Sequence, residues 1–219
     1  AIELYKNKQY PESILEFNRF IDSEIEHEKK KDAMYNLAII YDFGLGINEN
    51  KDKAVKWYKK ASNLNHKIAQ FNLAWMFYNG EKLEKNNFEA FNYYLRSANQ
   101  GYNKAQFNLA NLYFAGEGTM KDYVESYKWF KTSAEDGYTP AQVSLGYLYD
   151  QGMGIDRNKI KAFMWWKIAS LHGDNDAKTL LQILLTEMNE NEKLLASTQT
   201  DKCLNNNFKN EVYPKTLSI

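Results

Sequence analysis

The chain has 219 residues, of which 44% are hydrophobic and 15% aromatic, so it can bury a large core. Its 28 Lys and Arg residues balance its 28 Asp and Glu residues, and this neutrality provides no electrostatic attraction to nucleic acid or anionic lipid. The single cysteine, Cys203, can form neither an intramolecular disulfide nor a four-cysteine metal site. We therefore expect no disulfide framework and no nucleic-acid partner.

The start of the chain carries no targeting or membrane signal. No run approaches the roughly 18 apolar residues of a membrane-spanning helix, so no direct membrane insertion is predicted. The first residue is Ala1 rather than Met, which fits either a chain trimmed at its start or a mature exported protein.

Residues 1–32 are predicted to form a separate N-terminal helical segment. Pro11 suits a first helical turn, and Tyr10, Ile14 and Phe17 are placed at helical spacing. The segment resembles the second helix of a tetratricopeptide hairpin, in which Lys8 occupies the place of the usual glycine. The charged residues 24–31 either prolong this helix or link it to the next one.

From Ala33 onward the sequence repeats every 36 residues, over four units that span 33–68, 69–104, 105–140 and 141–176. In each unit an alanine, a leucine, a small residue and an aromatic residue follow one another at helical spacing, which places them on one face of a first helix. In the third unit they are Ala105, Leu109, Ala110 and Tyr113. In the fourth unit the small residue is Gly146.

Loop residues recur with the same period. A glycine at 44, 80, 116 and 152 is expected to end each first helix in the left-handed conformation. A second glycine follows at 46, 118 and 154, but Lys82 stands at that place in the second unit, so its loop is expected to have a different shape. The residues predicted to cap the second helices are Asn50, Asn86, Asp122 and Asn158.

The second helix of each unit carries an aromatic pair, followed by two small residues. The pairs are Trp57-Tyr58, Tyr93-Tyr94, Trp129-Phe130 and Trp165-Trp166. Repetition at one position favours packing between hairpins over ligand stacking. Asn65 and the glycines at 101, 137 and 173 are expected to end these helices, and Thr139 followed by Pro140 fits a helix start.

A fifth unit begins at Ala177 but lacks the glycine loop and the aromatic pair, so residues 177–204 are predicted to form C-terminal capping helices. Asn189 and Glu192 have the spacing of a capping box. Residues 205–219 show no helical period and are predicted to form an extended tail.

This repeated pattern of residues closely resembles that of the Sel1-like repeat family, which is related to tetratricopeptide repeats. The resemblance implies an all-α fold, an α/α superhelical solenoid of antiparallel helix pairs. It also implies a non-enzymatic adaptor or scaffold for protein complexes, often in bacterial envelope, secretion or host-interaction settings, so a bacterial periplasmic or secreted location is favoured over a cytoplasmic one. The cysteine-rich branch of the family is excluded by the single cysteine.

Catalytic, cofactor and metal sites are not predicted. The Gly-x-Gly loops follow helices and lack the Lys-Ser/Thr or third glycine of a phosphate loop. His27, His66 and His172 have no partner at metal-ligand spacing, which favours surface or capping roles. Cys203 has no positioned base, and the serines of the small pairs alternate with alanine.

In the related tetratricopeptide superhelix, the first helix of each hairpin lines a concave face, and carrying this geometry over points to the places two, six, nine and ten after each repeat alanine. Aromatic residues with a few amides and carboxylates suit an extended peptide. Trp75 stands out, because no other repeat has so large a side chain at that place. The residues predicted to bind a protein or peptide are Tyr35, Ile39, Asp42, Phe71, Trp75, Tyr78, Phe107, Asn111, Phe114, Tyr147 and Asp150.

Peptide binding is one of several roles that fit this aromatic set. Trp75, Tyr78 and Phe114 would also fill a tight superhelix. The chain would alternatively serve as a structural self-assembly module through its terminal cap or tail, or as a binder of small molecules or glycans that stack on aromatic rings.

Overall fold

The computed structural model describes residues 1–24 and 27–205, and within these it contains twelve α-helices, one 3-10 helix and no strand. This confirms the predicted all-α fold with its period of about 36 residues. The first segment holds α1 (Ile2–Lys6), α2 (Tyr10–Asp22) and the 3-10 helix His27–Lys30. The repeats hold α3 (Lys31–Phe43), α4 (Lys51–Asn63), α5 (Lys67–Asn79), α6 (Asn87–Ala98), α7 (Asn103–Ala115), α8 (Tyr123–Glu135), α9 (Thr139–Gln151) and α10 (Lys159–Leu171). The chain closes with α11 (Asn175–Glu187) and α12 (Glu190–Asn205).

Consecutive helices pack as pairs: α3 with α4, α5 with α6, α7 with α8, and α9 with α10. The chain divides into two compact units, Ala1–Tyr102 and Asn103–Ile219. They are called unit 1 and unit 2 below, and the 36-residue units of the sequence are called repeats. None of the described helices is both long and apolar enough to cross a lipid bilayer.

The core of unit 1 is built from the repeating small and apolar residues. Ala69, Leu73 and Ala74 are fully buried, as are Leu37 and Ala38 in the preceding repeat. Phe17 of α2 packs with Ala33, Leu37 and Ile40 of α3 in a second buried cluster. The periodic alanines and leucines are therefore packing residues, as their spacing predicts.

Unit 2 is organised around the fourth repeat. Trp165 and Trp166 are 3% and 2% exposed, and the Nε1 of Trp166 donates a hydrogen bond to the carbonyl oxygen of Val143 over 3.0 Å. A Cβ atom on Gly146 would lie 2.5 Å from that Nε1. The small residue at this place therefore lets the indole enter the core. In all four repeats the second member of the aromatic pair is buried, which confirms packing for that member.

Helix ends follow the sequence signals closely. The four predicted capping side chains each accept a backbone N–H of the first turn of their helix, in α4, α6, α8 and α10. The glycines at 44, 80, 116 and 152 all have positive φ, as do those at 101, 137 and 173 and Asn65. One boundary differs, because α9 begins at Thr139 and its N-cap is Tyr138.

The expectation of a different loop after α5 is wrong for the backbone. Lys82 has φ 68, beside 66, 71 and 70 for the glycines at the same place in the other repeats. Lys8, which replaces the tetratricopeptide glycine, also has a positive φ of 61. A lysine tolerates this conformation at a cost, and the ammonium group of Lys82 forms an ion pair with Asp42.

Two helices, α11 and α12, follow the fourth repeat. Helices α11 and α12 both pack on α10. The backbone N–H of Asn189 donates to Glu192, and that of Glu192 donates to the Asn189 side chain, each over 2.9 Å, so the capping box is confirmed. Asn205 ends α12, and the rest of the predicted tail lies outside the described residues. At the other end, α2 ends at Asp22, and residues 25–26 of the charged segment lie outside the described residues.

Candidate functional site

The predicted site residues two places after each repeat alanine pack within their own repeats. Tyr35 stacks on His66 with 4.3 Å between ring centroids. The equivalent pairs are Phe71 with Tyr102 at 5.1 Å and Phe107 with Tyr138 at 5.4 Å. All three site residues are half-buried. Each of these three rings therefore already has a ring contact inside the scaffold.

His66 joins this packing to a helix start. Its Nδ1 accepts the backbone N–H of Ala69 over 3.1 Å and so caps α5. Its Nε2 lies 3.4 Å from a carboxylate oxygen of Asp32. Burial lowers the pKa of His66, the nearby Lys31 and Lys67 act in the same direction, and the charge of Asp32 opposes the shift. The capping role expected for a histidine is present here.

Asp42, predicted to face a partner, is 5% exposed and is engaged inside unit 1. The hydroxyl of Tyr58 donates to its Oδ2 over 3.0 Å, and the ammonium group of Lys82 forms an ion pair with its Oδ1. Lys51 lies 3.7 Å from the same oxygen and donates to the Asp42 carbonyl over 2.8 Å. Burial, together with the charge of Asp42, raises the pKa of Tyr58. The place of Asp42 in the site is thus corrected, because a buried carboxylate with three internal partners offers no oxygen to a ligand.

The other residues nine places after the alanines also contact their own repeat. Lys85 lies over the ring of Tyr78 at 5.7 Å, and Phe114 packs against Tyr123 at 5.2 Å between centroids. The backbone oxygen of Asp150 accepts from Arg157 over 2.6 Å, and its carboxylate lies 3.5 Å from the same guanidinium group. These side chains are half-buried and border the exposed surface instead of forming it.

In each unit, exposed residues of the first helices lie six and ten places after the repeat alanines, and we call these positions, four in each unit, the exposed stripe of that unit. A spacing of four puts each pair on one helix face. The stripe residues are Ile39 and Phe43 on α3, Trp75 and Asn79 on α5, Asn111 and Ala115 on α7, and Tyr147 and Gln151 on α9. All are exposed except Ile39, which is half-buried. Phe43 is the most exposed aromatic of the stripe at 66%, followed by Trp75 at 41% and Tyr147 at 40%.

Phe43 lies ten places after Ala33, a place to which the sequence comparison points, but it is absent from the predicted set of binding residues. The signal that identifies it is its position four residues after Ile39, on the same face. The other repeats hold Asn79, Ala115 and Gln151 at the ten-on place, so no recurring aromatic marks this position in the sequence.

In unit 1 the buried ion pair between Asp42 and Lys82 connects the ends of the two helices that carry the stripe, α3 and α5. Asp42 precedes Phe43 at the end of α3, and Lys82 lies in the loop after α5, so their contact holds the C-terminal ends of α3 and α5 together. The Nδ2 of Asn79 donates to the Trp75 carbonyl over 2.9 Å, which orders the amide beside the indole. The stripe of unit 1 thus carries two exposed aromatic rings, Phe43 and Trp75, next to this polar contact. Unit 2 presents its own segment from α7 and α9.

The stripe combines exposed aromatic rings with side-chain amides. Aromatic rings bury large apolar areas, and amides pair with a peptide backbone. Among the described residues, no group of three or more His, Cys, Asp and Glu side chains is placed to hold a metal ion. His172, outside the stripe, lies with its Nδ1 3.2 Å from Oε1 of Gln142.

Comparisons with known proteins agree with this architecture. The family model described as the Sel1 repeat matches residues 31–66, 67–102, 103–138 and 139–174. The crystal structure of a Sel1 repeat protein from Oxalobacter formigenes is 32% identical with a TM-score of 0.74, and the match covers 82% of this chain and 72% of that one. A protective antigen of uropathogenic Escherichia coli with an SLR fold is 28% identical with a TM-score of 0.71, over 87% of this chain and 43% of that one. A search of curated protein sequences finds no match.

Proposed function

This chain belongs to the Sel1 repeat family, and from that premise we propose that it is a non-enzymatic adaptor that captures a peptide or protein segment on the exposed stripe of unit 1. Sel1 repeats are commonly protein-interaction modules. The scaffold family is generally non-catalytic. The partner in this proposal supplies apolar side chains for the aromatic rings and backbone groups for the amides.

The observation that carries the proposal is the exposure of Trp75. Its α5 neighbours Leu73, Ala74 and Met76 are at most 2% exposed, whereas the Trp75 side chain is 41% exposed. Exposed tryptophan is unfavourable in water and is enriched at the energetic centres of protein interfaces. The three other repeats place Ile39, Asn111 and Tyr147 there, so the shared packing does not require an indole.

The proposal is tested by capture of partners from a lysate of the source organism, with the immobilised full chain and mass spectrometry. Trp75→Ala should remove the specific partner or weaken its binding about 30-fold, because a buried interface tryptophan is worth roughly 2 kcal/mol or more. The matched control is Phe88→Ala, since Phe88 is a 61% exposed aromatic residue in the same repeat, but on the second helix. The partner should bind this control as it binds the unaltered chain.

Circular dichroism of both variants separates loss of binding from loss of fold. Equal capture by Trp75→Ala and the unaltered chain would refute the role of the stripe. Loss of capture by Phe88→Ala alone would move the binding surface to the second helices.

Self-assembly through the terminal cap is the second candidate. It is favoured by three large apolar side chains exposed on α11 and α12, namely Ile183 at 55%, Leu194 at 69% and Leu195 at 46%. Burial of such side chains between copies stabilises a dimer. Sedimentation equilibrium should then show association that Leu194→Glu abolishes, and a monomer at every concentration would remove this candidate.

A further inference from the structure

Helix α4 of unit 1 carries a strongly basic outer face. Lys53, Lys56, Lys59 and Lys60 are all exposed, and at 100° per residue they fall within about 120° of the helix circumference. One carboxylate shares this face, that of Asp52 at its N-terminal end. Four lysines against one aspartate make a local charge excess in a chain whose net charge is zero.

The third repeat provides a comparison for the same helix face. Lys128 and Lys131 of α8 occupy the places of Lys56 and Lys59. Each has an acidic neighbour on its own helix. Lys128 lies 2.5 Å from Glu125, and Lys131 lies 3.7 Å from Glu135. The places of these two glutamates are taken in α4 by Lys53 and Asn63. The charge of α8 is therefore neutralised internally, whereas that of α4 is not.

None of the four α4 lysines forms an ion pair with any other described residue. Two of them lie over aromatic rings instead: Lys60 over Trp57 at 4.2 Å, and Lys53 over Tyr41 at 5.0 Å from the ring centroid. A cation held over a ring is partly ordered and still free to bind an anion on its other side. Like charges three and four residues apart also destabilise a helix. The α4 face thus retains an internal repulsion that an anionic partner would relieve.

We propose that this face binds an acidic protein segment whose carboxylates recur every three or four residues, as on one face of a helix. Lys53 and Lys60 are separated by about 10 Å along α4, which matches two turns of such a partner. A lipid surface fits less well, because α4 exposes no large apolar side chain to insert and Trp57 lies beneath Lys60. Nucleic acid fits less well, because the face has neither arginine for bidentate contacts nor exposed aromatic rings for base stacking.

The test uses the full chain and a fluorescent alanine-based helical peptide. Its glutamates are spaced alternately three and four residues apart, so that they lie on one face of the helix. A peptide with glutamine in their place is its control. Anisotropy titrations are run at about 0.05 M and about 0.3 M salt, where the screening length differs about two-fold. We expect the acidic peptide to bind at low salt, to bind more weakly at high salt, and to bind at least about ten-fold more tightly than the glutamine peptide.

The matched variants are Lys56→Glu with Lys59→Glu, and Lys128→Glu with Lys131→Glu, which change the net charge equally at equivalent places. The first pair should weaken peptide binding by at least about ten-fold and the second by less than about two-fold. Lys56→Gln with Lys59→Gln gives a milder loss in the same direction and guards against misfolding, which circular dichroism checks.

Three outcomes would overturn the proposal. One is an equal weakening of peptide binding by the α4 and α8 double variants, which would assign binding to the net charge of the chain. Another is equal affinity for the acidic and glutamine peptides. The third is tighter binding to vesicles with equal parts phosphatidylcholine and phosphatidylserine, or to a DNA duplex, than to the acidic peptide.

Discussion

Replacement of Gly146 by alanine tests the packing account of unit 2 most sharply, because two effects of opposite sign meet there. Gly146 lies inside α9, where alanine alone would stabilise the helix by about 1 kcal/mol. Its new Cβ, however, would lie 2.5 Å from Nε1 and 2.6 Å from Cδ1 of Trp166. Overpacking of a core costs about 1–3 kcal/mol, and displacement of the indole endangers its hydrogen bond to Val143, worth about 1 kcal/mol.

The expected net effect of Gly146→Ala is a loss of about 2 kcal/mol in the free energy of unfolding, or a Tm lower by about 4–8 °C for a chain of this size. Urea denaturation followed by circular dichroism, together with calorimetry, measures both quantities. At the places equivalent to Gly146 and Trp166, the third repeat has Ala110 and Phe130, which are both buried. The third repeat is therefore a natural example of alanine combined with phenylalanine.

In a Trp166→Phe background the same Gly146→Ala change should stabilise the protein, by up to about 1 kcal/mol, because the indole is gone and only the helix propensity remains. The sign reversal is the decisive feature of this double-mutant cycle. Gly146→Ala that is harmless in the original background, or equally harmful in both, would refute the reasoning.

Three further predictions concern the polar contacts. Lys82→Gly relieves a left-handed lysine but leaves the buried Asp42 carboxylate without that cation, so we expect a net loss of about 2 kcal/mol in urea, partly restored by adding Asp42→Asn. Burial lowers the pKa of His66 in the folded chain, so its contribution is complete above about pH 6.5 and is lost as the pH falls through the lower folded value. His66→Asn should keep the cap and flatten the fall in unfolding free energy between pH 7 and pH 5, whereas parallel curves would contradict this role. Asn189→Ala should cost about 1 kcal/mol and speed hydrogen exchange in the first turn of α12, and unchanged exchange would contradict its capping role.

Much of the fold could be predicted from the sequence, because residues that recur in every repeat are those that the shared structure requires. Ala105 and Leu109 are fully buried, and Asp122 caps its helix, as their recurrence indicates. Such positions are determined by local geometry, either a helix face or a cap, that acts within a few residues of sequence. Comparison between repeats then separates these recurring positions from residues that match the pattern in one repeat only.

The site was harder to predict, since exposure depends on contacts that the repeat pattern does not encode. Asp42 has the spacing of a surface residue, yet Lys82, 40 residues later, draws its carboxylate into the core. No local rule predicts a lysine with positive φ, because the compensating ion pair is long-range. Tyr35 and Phe71 have the spacing of accessible residues, but each contacts a ring 31 residues later, just after the second helix of its own repeat.

The central claim, that the exposed stripe contacts the partner, is tested most directly by site-specific photo-crosslinking. A photoreactive phenylalanine analogue placed at Phe43 or Asn79 should form an adduct with the captured partner on irradiation. The same analogue at Phe88, an exposed aromatic position on the second helix of the same repeat as Asn79, should form none. Adducts from Phe88 with none from Phe43 and Asn79 would contradict the account.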